Sequence, residues 1–122
     1  MPTILVVEDE MLIRLYVADT FRDEGFQVVE ASDGAEAIKR LQEGVAIDAV
    51  FTDVTLPGQP DGFGIARWVR TNRPGTPVVL TSGEVTAAHA QGVSQEAPFF
   101  AKPCDYATVS AFIRGLLEKY QA

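Results

Sequence analysis

A chain of 122 residues, 47% apolar and 22% charged, can bury one hydrophobic core but not two. No apolar run nears the roughly 18 residues that cross a bilayer, and Ile4 to Val7 follow no basic stretch, so neither a membrane span nor a secretory leader is expected and the cytoplasm is the default address. The formal charge of −7, from 10 basic and 17 acidic residues, repels a phosphate backbone and excludes nucleic acid as an expected partner, while one cysteine, Cys104, and one histidine, His89, supply neither a disulfide nor a zinc set.

Ile4 to Val7, short and β-branched, reads as a buried strand. A helix is predicted from about Met11 to Glu24, with Ile13, Tyr16, Val17 and Phe21 facing inward and Gly25 as its left-handed stop. Val28 and Val29 mark a second strand. Asp33 and Glu36 have capping-box spacing ahead of Ala37, Ile38 and Leu41, and Gly44 ends that helix as Gly25 ends the first. Val45 to Phe51, interrupted by Asp48, reads as the third strand, and Pro57 to Gly64 as a loop too short to link domains. Arg67, Arg70 and Arg73 recur every three residues, the pattern of a solvated helix face. Val78 to Leu80 is a fourth strand. Glu84 to Pro98 has few bulky apolar residues beyond Val85 and Val93, so a short or mobile helix is expected there. After a fifth strand at Phe99 to Ala101, Asp105 can cap a last helix whose stripe is Val109, Phe112, Ile113, Leu116, Leu117 and Tyr120.

Five strands alternating with five helices imply parallel strands joined by right-handed crossovers, with helices on both faces of the sheet. The expected class is α/β, doubly wound, as a single domain over residues 1–122 with no output domain. Functional side chains follow four of the apolar runs: Glu8 and Asp9, then Asp53, Ser82 and Lys102. In open α/β sheets ligands bind outside the carboxyl ends of the strands, at the point where strand order switches. If the first and third strands are neighbours, as in a flavodoxin-like order 2-1-3-4-5, Glu8, Asp9 and Asp53 crowd together and repel. A hard divalent cation relieves that repulsion, and Mg²⁺, which bridges carboxylates to phosphate, suits the set better than calcium. Lys102 adds a positive charge and Ser82 a hydroxyl, both fit for phosphoryl oxygens, so an aspartate held in line can form an acyl phosphate. Taken singly, Asp9 and Asp53 also read as helix caps or loop residues, and Lys102 as a surface lysine. Their recurrence at one end of four strands favours the site.

These residues resemble the response-regulator receiver domains of bacterial two-component systems over nearly the whole chain. The match is carried by Ile4-Leu5-Val6-Val7-Glu8-Asp9-Glu10, by Phe51-Thr52-Asp53 with Leu56-Pro57 and Asp61-Gly62, by Pro77 to Gly83, and by Lys102-Pro103. The order 2-1-3-4-5 is a known property of that family. The resemblance implies that Asp53 is phosphorylated, and that Glu8, Asp9, Asp53 and the Thr55 carbonyl hold Mg²⁺, Glu8 through water. It implies that Ser82 is the switch hydroxyl, that Lys102 contacts the phosphoryl group, that Pro103 follows a cis bond, and that Phe99 stands at the switch aromatic. Thr81 rivals Ser82. The spacing from Pro77 selects Ser82, and strand alternation turns Thr81 the other way.

Departures from the family pattern are Glu8 for the usual aspartate, a Pro57 to Gly62 loop one residue longer, Phe99 without a phenol, and the apolar-poor Glu84 to Pro98. The implied function is a switch: a histidine kinase or histidine phosphotransfer protein donates to Asp53, and a surface built from the fourth helix, fifth strand and last helix changes its affinity for a downstream protein target. A monomer or weak dimer is expected. Thr55 and Glu84 stand where side chains tune acyl-phosphate hydrolysis. An aspartate-nucleophile phosphatase is the enzymatic alternative, but such enzymes place an acid two residues after the nucleophile, where this chain has Thr55. A phosphorylation-independent scaffold is the third reading, disfavoured by the intact acidic set.

Overall fold

A computed structural model describes residues 1–44, 46–83 and 97–121. Strands β1 (Thr3–Val7), β2 (Gln27–Ala31), β3 (Ala49–Asp53), β4 (Val78–Ser82) and β5 (Phe99–Ala101) form one sheet in the order β2-β1-β3-β4-β5. All pairings are parallel. Among the described residues there are four helices, α1 (Met11–Asp23), α2 (Gly34–Gln42), α3 (Gly62–Asn72) and α4 (Tyr106–Gln121). The helix expected within Glu84 to Pro98, with His89, Val85 and Val93, lies outside the described residues up to position 96. None of the described helices is long and apolar enough to cross a membrane.

Both faces of the sheet are covered, which is why its strands read as continuous apolar runs rather than alternating ones. In β1, Leu5 and Val7 join Val50, Leu80, Leu41, Ile65 and Val69 on the side of α2 and α3. Ile4 and Val6 join Phe51, Val79, Val17, Phe21, Val109 and Ile113 on the side of α1 and α4. Phe21, fully buried, meets Phe51 edge-on at 5.5 Å and Phe26 at 6.4 Å, so Phe21→Ala would cost about 3–5 kcal/mol.

The caps follow the sequence pattern with one variation. Asp33 accepts from the Glu36 N–H at 2.8 Å, but Glu36 reaches back to the Ser32 N–H at 2.6 Å rather than to Asp33 itself. Asp61 caps α3 by accepting from the Gly64 N–H at 2.9 Å, so that helix begins inside the stretch expected to be loop. Asp105 accepts from the Ala107 N–H at 3.0 Å. Gly25 and Gly44 have φ of +96° and +79°, the left-handed stops expected of them.

Further expectations are corrected, among them Phe112, which is 40% exposed rather than on the inward stripe of α4 and meets Phe100 edge-on. Tyr16 is 65% exposed, because the inward stripe of α1 is Val17, Ala18 and Phe21 with Ile13 half-buried; one residue turns the helix by about 100°, which leaves Tyr16 on the flank, edge-on to Tyr106 at 5.8 Å. β3 starts at Ala49 rather than near Val45, which itself lies outside the described residues. Asp48 closes the entry to β1 instead, its carboxylate accepting from the Thr3 N–H at 2.8 Å. Arg73 is not on a solvated face: its guanidinium donates to the carbonyls of Leu41 and Ile47 at 3.4 and 3.0 Å, tying the end of α3 to the last turn of α2 and the chain that follows it.

Candidate functional site

Register alone brings the polar strand ends together. Val7 pairs with Thr52, Asp53 with Thr81, and Ser82 with Ala101, so Glu8, Asp53, Ser82 and Lys102 leave the sheet at one edge. Asp53 is fixed there by close packing of the next helix. A Cβ on Gly62 would sit 2.4 Å from the Asp53 carbonyl oxygen, and the Gly62 N–H donates to the Val54 carbonyl at 2.9 Å. Only a hydrogen fits between α3 and the strand end.

The Lys102 ammonium bridges two carboxylates, donating to Glu8 Oε1 at 2.7 Å and to Asp53 Oδ2 at 2.8 Å. Asp53 Oδ1 accepts from the Thr55 N–H at 3.1 Å, and Glu8 Oε2 from the Asp9 N–H at 3.0 Å. Glu8 and Asp53 are buried, at 4% and 8% exposure, whereas Asp9 is exposed at the rim. The Lys102–Pro103 bond is cis, as is Gln59–Pro60.

Burial pushes the Glu8 carboxyl up to about 7, against the pull of Lys102 and with a further push from Asp53. Burial works against the charge on Lys102, but Asp53 and Glu8 outweigh it and hold the ammonium above its ordinary range. Lys102 is therefore a fixed cation. Glu8, Asp9 and Asp53 each offer an oxygen within 4.8 Å of the others. When all three are ionised, three carboxylates against one ammonium leave two negative charges uncompensated. An all-oxygen set with that deficit fits a hard divalent cation.

Glu8, Asp9, Asp53, Thr55, Ser82 and Lys102 line one cleft. Thr81 is committed elsewhere, its hydroxyl donating to the Phe100 carbonyl at 2.7 Å, which leaves Ser82 as the hydroxyl on the cleft. Phe99 is the residue the fold does not bring in: it is half-buried and packs on the core beneath α2 and α3. Glu84 lies outside the described residues. Two features escape the sequence pattern. One is the Lys102 contact with Glu8. The other is Arg14, whose Nη1 donates to the Glu8 carbonyl at 2.9 Å and whose Nε donates to Glu30 at 3.2 Å; a cation in the first turn of a helix, opposed by the helix dipole, was the available signal.

Residues 4–114 match the family model of the response regulator receiver domain. Over 120 residues the chain is 31% identical to part of the sensor kinase CckA of Brucella abortus (strain 2308), covering 96% of this chain and 13% of that one. It is 41% identical over 80 residues to the transcriptional regulatory protein PdtaR of Mycobacterium tuberculosis, covering 65% of this chain and 38% of that one. It thus spans well under two thirds of either relative. A solved response regulator receiver protein from Sinorhizobium medicae WSM419 superposes with a TM-score of 0.89 at 34% identity, covering 98% of this chain and 96% of that one.

Proposed function

Because the chain belongs to the response-regulator receiver family, we propose that Asp53 accepts a phosphoryl group from a phosphohistidine on a kinase or phosphotransfer protein, and that the added charge alters affinity for a downstream protein. The observation that carries this is the Asp53 carboxylate itself, buried at a strand end and held through both oxygens, by Lys102 at 2.8 Å and the Thr55 N–H at 3.1 Å. In the transfer an Asp53 oxygen bonds to phosphorus as the N–P bond breaks, and the departing imidazole nitrogen takes up a proton.

Glu8, Asp9, Asp53 and the Thr55 carbonyl would hold Mg²⁺, which when bound neutralises phosphoryl oxygens and offsets the crowded carboxylates. Lys102 exchanges its Asp53 contact for the phosphoryl oxygens, and the Ser82 hydroxyl turns to donate to the same group. Conversion of the Asp53 carboxylate into an acyl phosphate of charge up to about −2 adds roughly one net negative charge and brings the phosphoryl oxygens as new acceptors, enough to bias a two-state element separated by a few kcal/mol. Phe99, paired with Leu80 across β4 and β5, shifts with Ser82 as the outward end of that switch. With the chain's net charge of −7, the target is a protein rather than nucleic acid.

Backbone amide spectra recorded with Mg²⁺, before and after beryllofluoride, test this reading. Shifts should appear at Asp53, Ser82 and Lys102 and extend into β5 and the start of α4; spectra that do not change would contradict it.

A further inference from the structure

We infer that Arg14 is a positioning residue for the divalent cation: clamped between Glu30 and the Glu8 carbonyl, it sets the turn after β1 so that the Glu8 and Asp9 carboxylates face Asp53. The inference rests on the proposed Mg²⁺ role of the cleft and adds to it a residue that touches no phosphoryl group.

Arg14 lies in the first turn of α1, where unpaired backbone N–H groups disfavour a cation. The N-cap residue Glu10 makes no side-chain capping bond, and that turn holds no acidic residue to compensate. The guanidinium instead turns back towards the sheet, donating to the Glu8 carbonyl at 2.9 Å and to Glu30 Oε1 at 3.2 Å. Glu30 is steadied in turn by Arg22, 3.5 Å from its other oxygen. The Arg14 and Glu30 side chains are 17% and 26% exposed, sheltered enough for a fixed geometry rather than a solvated surface pair.

The bonded carbonyl belongs to the peptide unit joining Glu8 to Asp9. Arg14 holds the oxygen end of that unit, and Glu8 Oε2 accepts from its N–H end at 3.0 Å. Rotation of this peptide plane would swing both carboxylates, so the two bonds together decide where the acidic pair points. Partners behind a metal ligand commonly change metal affinity by about 10- to 100-fold when removed.

Charge and position make opposite predictions for Arg14. A cation beside an acidic cleft opposes a second cation, so a purely electrostatic role predicts tighter Mg²⁺ binding when it is removed. Positioning predicts weaker binding. The experiment is Mg²⁺ titration calorimetry on the full chain, with thermal unfolding in EDTA recorded in parallel. Arg14→Ala should weaken binding by about tenfold, and Arg14→Lys, which keeps the charge but cannot span both partners, should behave like Arg14→Ala. Glu30→Gln should also weaken binding, with the double variant no worse than Arg14→Ala. Unchanged or tighter binding by a folded Arg14→Ala or Arg14→Lys overturns the inference while leaving the cleft's reading intact. If neither Arg14 variant folds, Glu30→Gln with wild-type affinity overturns it instead. Wild-type protein that binds no Mg²⁺ overturns the reading of the cleft, and this inference with it.

Discussion

Lys102 Nζ lies 2.8 Å from Asp53 Oδ2, so the residue proposed to accept a phosphoryl group is already paired with the cation proposed to contact that group's oxygens. The same ammonium touches Glu8 at 2.7 Å, and its side chain is only 20% exposed. Lys102→Met therefore strands two buried carboxylates and should lower stability in EDTA by up to about 3 kcal/mol. Mg²⁺ should then restore more stability to the variant than it adds to wild type, since it takes over the lost neutralisation. Thermal unfolding with and without Mg²⁺ checks this; equal Mg²⁺ stabilisation of both proteins would exclude a shared charge role.

A pH signature follows from Glu8, whose carboxyl is raised from 4.5 to about 7 by burial, despite Lys102. The native state then holds this proton more tightly than the unfolded chain does. Its stabilising contribution is complete below pH 4.5 and is lost as pH rises through about 7. Lys102 stays charged across that window. In EDTA, the stability of Glu8→Gln relative to wild type should rise between pH 5 and pH 8, read from urea midpoints. A constant difference would mean that Glu8 does not titrate there.

Neighbouring hydroxyls should separate by role. Thr81, 2% exposed, donates to the Phe100 carbonyl at 2.7 Å, so Thr81→Val should cost about 0.5–1.5 kcal/mol by removing that hydrogen bond, without changing phosphoryl acceptance. Ser82→Ala should still accept a phosphoryl group but show smaller amide shifts in β5 on activation. Intact mass and amide spectra of both variants decide the matter, and the reverse pattern would move the switch role to Thr81.

Much of this fold is legible because its strands are buried on both faces. Ile4, Leu5, Val6 and Val7 are all apolar, so the polar residues that follow mark the sheet's edge, and Glu8, Asp9, Asp53, Ser82 and Lys102 stand out there. Partner choice across the chain is a different matter. Asp48 looks like an interruption in a strand until the fold brings it to the Thr3 N–H, 45 residues away. Tyr16 has the spacing of a core residue, yet an amphipathic ring can sit on a helix flank against Tyr106 with its phenol towards water. Arg14 leaves only the trace of a cation in the first turn of a helix; the β1–β2 pairing, which sets Val7 beside Ala31 and Val6 beside Glu30, makes it a bridge.

The central measurement is intact mass after incubation with Mg²⁺ and a small acyl-phosphate donor, for wild type and Asp53→Asn. Wild type should gain one phosphoryl group, labile to hydroxylamine, and Asp53→Asn should gain none. A wild type that gains no mass from the small donor or from an active phosphohistidine donor, or an equal gain by Asp53→Asn, would contradict the assignment of Asp53 as the acceptor.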